Sequence, residues 1–169
     1  MSSRYDIVVI GGGINGTGVA QAAAALLDEQ LQAGGMAAAY PFIDDLVAVH
    51  DAARPFATRH LLNRLARAAS RHGAAVPGVP VPDTIVQLEA AHSADDREIP
   101  VASYLERERL VAVQTPQVCR WQDLHAAHAW AHAEGRSFTD DGGLLAARGL
   151  SPTVVMGEPG NWKITTEDD

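Results

Sequence analysis

A three-layer α/β fold with a mostly parallel sheet is predicted by two patterns. Short β-branched runs alternate with helical stretches, and the densest group of charged and hydroxyl residues follows the end of one such run. Tyr5 to Ile10 is the first apolar run, stopped by Gly11-Gly12-Gly13, and Ile14 to about Leu31 reads as an Ala-rich helix. Gly34-Gly35 and Tyr40-Pro41 break the chain before a second strand, Leu46 to His50. Between Arg59 and His72, Leu61, Leu62, Leu65, Ala68 and Ala69 share one face and Arg64, Arg67 and Arg71 the other, so an amphipathic helix is expected there, ended by Gly73. Ala74 to Val81 and Thr84 to Leu88 read as strands, with Pro77, Pro80 and Pro82 marking edges or bends. Glu89 to about Glu108 is polar and irregular, which predicts an arm leaving the sheet over about 84–112. Leu110 to Gln114 returns as a strand, and Trp121 to Glu134 reads as a helix closed by Gly135. Thr139 is expected to cap a further helix running to about Arg148, and Thr153 to Met156 is the last predicted strand.

Composition narrows the function. With 169 residues, 47% of them hydrophobic, the chain can bury one core. A net charge of -8 argues against a broad nucleic-acid-binding face, which needs clustered cations, so no nucleic-acid partner is expected. The apolar stretches fall short of a membrane span, and the opening MSSRYDIVVIGGG lacks a basic lead and cleavage site; no membrane partner and a cytoplasmic location are the expectations. Cys119 stands alone, without partner spacing for a disulfide or zinc, and is expected to pack as a small hydrophobe. Twelve arginines accompany a single lysine, Lys163, which hints at a position that needs a compact point charge rather than a planar fork.

The densest chemistry is Val49-His50-Asp51-Ala52-Ala53-Arg54-Pro55. Ligands of open α/β sheets bind beyond the carboxyl ends of strands, where Asp51 and Arg54 fall. Asp51 suits a divalent metal and Arg54 a phosphate, although an isolated Asp-x-x-Arg serves equally well as a turn cap with a surface ion pair. Downstream lie Asp83-Thr84, the run VQTPQ from Val113 to Gln117, Thr139-Asp140-Asp141, and NWKITT from Asn161 to Thr166.

Taken together, from about Leu46 onward, these motifs resemble the 2-C-methyl-D-erythritol 4-phosphate cytidylyltransferases, nucleotidyltransferases of the non-mevalonate isoprenoid pathway. The resemblance implies a Rossmann-like nucleotidyltransferase fold with a protruding β-arm. It implies CTP as co-substrate, Mg2+ as metal, and transfer of a cytidylyl group to a sugar phosphate. Asp51 and Ala52 would lie by the nucleotide and metal. Arg54, Thr84 in DTI, Arg107 in LERERL, Thr115, Thr139 and Lys163 would hold the methylerythritol phosphate, with Asp51, Arg54 and Lys163 as the catalytic set. Because the family's arm reaches into a partner subunit, a homodimer is implied.

Three positions depart from that pattern. Val86 stands where the arm commonly carries a basic residue, the chain ends at Asp169 where the family continues into a helix, and the family's opening glycine-rich loop with its arginine and lysine is absent. The fold is therefore expected to be N-terminally incomplete, with the triphosphate half of the site missing.

The front instead reads IVVIGGGINGTGVA, with Gly11, Gly13 and Gly16 forming a G-x-G-x-x-G between strand and helix. Such glycines allow close backbone approach to a pyrophosphate at a helix N-terminus. Residues 5–20 look like the FAD-binding start of glycerol-3-phosphate dehydrogenases, which divides the chain into a glycine-rich segment, 1–45, of foreign appearance and a cytidylyltransferase-like domain, 46–169. A second alignment sets Gly11-Gly12 and Gly18-Val19 on a Gly-Gly and Ser-Val pair of the cytidylyltransferases, with Gly18 where a serine is expected; it ranks below a junction of two segments. His125, His128 and His132 share a helix face, a spacing more often structural than metal-binding. Two readings stand beside the cytidylyltransferase: an FAD- or NAD-binding oxidoreductase fragment, and a relative that binds sugar phosphate or dimerises without catalysis.

Overall fold

The computed structural model describes residues 8–10, 46–91 and 98–165. The predicted helix from Ile14 to Leu31 and the glycines Gly11, Gly13, Gly16 and Gly18 lie outside the described residues. In chain order the elements are β1 (Val8–Ile10), β2 (Leu46–Asp51), α1 (Arg59–His72), β3 (Ala74–Pro80), β4 (Val86–Leu88), β5 (Val101–Tyr104), a short 3-10 turn (Arg107–Arg109), β6 (Val111–Val113), β7 (Gln117–Arg120), α2 (Trp121–Ala133), α3 (Asp141–Ala147) and β8 (Thr153–Met156).

Helix α1 follows from its sequence. Thr58 sits in extended geometry and its hydroxyl accepts from the Leu61 amide, while Gly73, at φ 89°, ends the helix where a side chain would be strained. Leu61 and Leu65 are fully buried against Leu46, Ala48, Ala75 and Val118. Burying each such leucine contributes about 1.5–3 kcal/mol. On the other side of the sheet, α2 and α3 pack Leu124, Ala127, Ala131, Leu144 and Leu145 against Val47, Ala74 and Cys119. A helix layer therefore covers each face, as the three-layer prediction required.

The sheet itself is mixed rather than mostly parallel. Strands β1 with β2 and β3 with β8 pair parallel, whereas β2 with β7, β3 with β7 and β3 with β6 pair antiparallel. The difference arises at β7, a strand absent from the sequence prediction that inserts between β2 and β3. Its first three residues are buried, so no apolar-polar alternation marks it. Ala75 pairs with both Val118 and Thr153, and Gly78 with both Val113 and Met156, so β8 occupies the opposite side of β3 from β6 and β7.

Strands β6 and β7 are one strand interrupted. Val76 and Pro77 lie between the β3 residues Ala75 and Gly78, and Gln114 to Gln117 lie between their partners Val118 and Val113, so four residues span the length of two. Those two extra residues form a bulge at Gln114-Thr115-Pro116, with a cis bond before Pro116. The expected arm is present as a separate two-stranded sheet, β4 against β5, leaving the main sheet between β3 and β6.

Candidate active site

The bulge faces the end of β2. Its Thr115 hydroxyl accepts from the Asp51 amide at 2.9 Å and lies 3.0 Å from His50 Nδ1. Past Asp51 the chain makes a turn, with the Arg54 amide donating to the Asp51 carbonyl at 2.9 Å and the Ala53 amide donating to Asp51 Oδ1 at 3.0 Å. This is the turn cap the residue types allowed, but the other carboxylate oxygen has a different partner. Lys163 Nζ lies 2.8 Å from Asp51 Oδ2.

The segment carrying Lys163 is held from three sides. Asn161, fully buried, donates its side-chain amide to the Thr115 carbonyl at 2.8 Å, and its own carbonyl accepts from Arg54 Nη1 at 2.8 Å and from Gln114 Nε2 at 3.0 Å. Ile164 donates its amide to the Ala53 carbonyl at 2.8 Å, and Phe56 lies against Trp162 with ring centroids 5.4 Å apart. The bulge, the β2 turn and the 161–164 segment are thus pinned to one another, and Asp51, Arg54, Thr115 and Lys163 converge.

Electrostatics agree with the geometry. Burial alone would raise the Asp51 carboxyl, yet the Lys163 ammonium, the Ala53 amide and Arg54 together hold it below the usual carboxylate range. Partial burial lowers the Arg54 guanidinium, against the attraction of Asp51. Arg54 Nε and Asn161 Oδ1 are buried without a hydrogen-bond partner, so this corner keeps unused polar capacity.

Three expected site residues lie apart from the cluster. Thr84 and Arg107 stand exposed on the arm, where Arg107 donates to the Pro82 carbonyl at 3.0 Å. Thr139 is exposed and does not cap α3; Asp140 does, accepting from the Gly143 amide at 2.8 Å, because its carboxylate reaches the first turn from the residue adjoining the helix. Gln117 ties that cap to β7, donating to Asp140 Oδ2 at 2.8 Å and accepting from the Gly142 amide at 2.8 Å. Ala52 is exposed beside Asp51. Sequence reasoning gave no role to His50, Gln114, Gln117 or Asn161. All four lay inside motifs already singled out, His50 beside Asp51, Gln114 and Gln117 in VQTPQ, and Asn161 in NWKITT. The signal for Gln114 and Gln117, polar residues flanking a proline in an apolar run, was visible without pointing to partners.

Among the described residues, no three His, Cys, Asp or Glu side chains gather to hold a metal, and His128 is paired with Asp141 at 2.9 Å. Asp51 therefore offers one carboxylate, enough for a Mg2+ ion that takes its remaining oxygens from phosphates and water. Cys119 is buried as expected, and that burial, with Asp141 and Asp123 nearby, pushes its thiol up.

A family model for 2-C-methyl-D-erythritol 4-phosphate cytidylyltransferase (IspD) matches residues 7–169. The chain belongs to this family. The bifunctional enzyme IspD/IspF of Anaeromyxobacter dehalogenans (strain 2CP-C) is 44% identical over 125 residues, covering 73% of this chain and 31% of that protein. The bifunctional enzyme IspD/IspF of Nitratidesulfovibrio vulgaris (strain DP4) is 41% identical over 133 residues, covering 78% and 32%. Among solved structures, the cytidylyltransferase of Thermus thermophilus superposes with a TM-score of 0.61 at 41% identity, over 73% of this chain and 57% of that one. A 4-diphosphocytidyl-2C-methyl-D-erythritol synthase reaches 0.67 at 26% identity, over 94% and 64%.

The chain thus spans about a third of the length of these curated relatives. The family match begins at residue 7 and runs through the glycine-rich front, and none of these similarities supports the flavin reading of that segment.

Proposed function

We propose that this IspD-family chain carries the sugar-phosphate side of a cytidylyltransferase site, with CTP and 2-C-methyl-D-erythritol 4-phosphate as substrates. In that reaction a phosphate oxygen of the sugar phosphate attacks the α-phosphorus of CTP. A new P–O bond forms, the bond to the β-phosphate breaks, and pyrophosphate leaves with the electron pair. The observation that carries the reading is the convergence of Asp51, Arg54, Thr115 and Lys163 at the carboxyl end of β2.

Each residue has a role in this reading. Arg54, already braced on the Asn161 carbonyl, presents its remaining guanidinium donors to a phosphate. Lys163, half-exposed and held by Asp51, exchanges that carboxylate for a phosphate oxygen when ligand arrives. Asp51, relieved of the ammonium, would hold Mg2+, which supplies charge neutralisation at the phosphates. Thr139 adjoins Asp140, which Gln117 ties to β7, and in a homodimer Thr84 and Arg107 would approach the site from the arm of a partner subunit. With the family's own triphosphate loop missing, that role would fall to the glycine-rich front, with Gly11, Gly13 and Gly16. A cytoplasmic enzyme of isoprenoid biosynthesis is the corresponding biological reading.

Calorimetric titration with 2-C-methyl-D-erythritol 4-phosphate, then with CTP and Mg2+, tests it, alongside a pyrophosphate-release assay. Sugar-phosphate binding that Arg54→Ala abolishes supports the site. Binding of CTP as well, with turnover, supports a triphosphate role for the front. Binding of neither ligand refutes the proposal.

A further inference from the structure

His50 has no assigned role, yet its ring sits between the two parts of the site that must stay in register. Its Nε2 lies 2.9 Å from the Arg54 carbonyl and its Nδ1 lies 3.0 Å from Thr115 Oγ1. The hydrogen positions follow from the partners. A carbonyl can only accept, so Nε2 carries the hydrogen, and in the neutral ring Nδ1 is then an acceptor. Thr115 Oγ1 has one hydrogen and two lone pairs, and one lone pair is taken by the Asp51 amide at 2.9 Å. Its hydrogen is the donor that Nδ1 requires. The chain of bonds therefore has one direction: Asp51 amide to Thr115 hydroxyl, Thr115 hydroxyl to His50, and His50 to the Arg54 carbonyl.

We infer that His50 is a positioning residue that fixes the Thr115 hydroxyl as a hydrogen-bond acceptor toward the ligand. With its hydrogen committed to His50, Thr115 keeps one free lone pair. A fully ionised phosphate has no hydrogen to offer that lone pair, whereas an alcohol group does. Thr115 therefore meets a hydroxyl of a polyol ligand, and the phosphate is left to Arg54 and Lys163. The same ring ties the strand end carrying Asp51 to the turn carrying Arg54, so one side chain sets both the spacing of the charged groups and the polarity of the neutral one. This inference rests on the sugar-phosphate reading for its ligand but not for its hydrogen-bond geometry.

Two measurements on the full chain separate those dependences. Nitrogen-15 spectra of labelled histidine, read on the neutral ring in the ligand-free protein, are expected to show the hydrogen of His50 on Nε2; a hydrogen on Nδ1 overturns the inference whatever the protein catalyses. His50→Asn keeps an acceptor near the Nδ1 position, and His50→Gln keeps a donor near the Nε2 position. With the sugar phosphate varied, His50→Gln is expected to raise KM about tenfold with little change in kcat, the scale of one misdirected hydrogen bond. His50→Asn should recover most of that loss. In a Thr115→Val background the two variants should give the same KM. Equal KM values for the two variants in the parent background overturn the inference. Absence of ligand binding by the parent refutes the proposed function alone, and the spectrum still decides the placement of the His50 hydrogen.

Discussion

Asn161→Ala tests whether the 161–164 segment is held by the buried amide. The residue is completely inaccessible, and its Nδ2 donates to the Thr115 carbonyl at 2.8 Å. Removing that donor strands a carbonyl inside the bulge, at a cost of about 1–3 kcal/mol. Part of the loss is offset, because the same truncation removes Oδ1, which is buried without a partner. The net destabilisation should therefore fall in the lower part of that range, about 1–2 kcal/mol. For a chain of this size each kcal/mol moves the melting temperature by about 2–4 °C, so a drop of about 2–8 °C is expected in a circular-dichroism melt. Arg54 and Gln114 bond to the Asn161 backbone carbonyl rather than to its side chain, so they keep their anchor in the variant. Asn161→Asp also loses the donor and places an anionic oxygen against the Thr115 carbonyl, so it should melt lower still. A melting temperature within about 1 °C of the parent for Asn161→Ala would show that the bulge is held by other contacts and refute this account.

Four further outcomes follow from the same geometry. Lys163→Met should cost at most about 1 kcal/mol at pH 7, because the ammonium is half-exposed. The Asp51 carboxyl is depressed in the folded state, so its stabilisation is fully present above the unfolded carboxylate value near pH 4 and is lost as pH falls through the lower folded value. Urea unfolding from pH 2 to 7 should accordingly show the gap between parent and Lys163→Met closing at the acid end; a gap independent of pH would contradict the pairing. Gly78→Ala would place its Cβ 2.7 Å from Val111 Cγ2 and 3.1 Å from Val154 Cγ1, so overpacking should cost about 1–3 kcal/mol in a denaturant titration. Gln117→Ala should cost about 1–3 kcal/mol by leaving the Gly142 amide unpaired, and should weaken sugar-phosphate binding if Thr139 takes part, both readable by melting and calorimetry. Cys119 should resist a thiol-disulfide reagent in the native protein and react once the chain unfolds, since its thiol is buried and shifted away from the reactive thiolate.

Local order was legible wherever one residue's neighbours in sequence are also its neighbours in space. The period of Leu61, Leu65, Ala68 and Ala69, with Thr58 before and Gly73 after, determines α1 in place. The arm was legible as a polar excursion, because it depends on short-range pattern. Strand β7 was not legible, since a short buried strand next to a proline carries no alternation to distinguish it. With β7 missed, the mixed character of the sheet was missed as well.

The site divides in the same way. By itself the sequence determined that Asp51, Arg54, Thr115 and Lys163 carry charges and a hydroxyl suited to a sugar phosphate, because charge and hydroxyl type are properties of single residues. Only the tertiary structure decided that they lie together. Arg54 meets Asn161 from 107 residues away, and Thr115 reaches the Asp51 amide because two extra residues bow the interrupted β6–β7 strand toward β2. The physical reason is that such meetings are set by sheet register and buried hydrogen bonds between distant segments, and no periodicity within either segment records them.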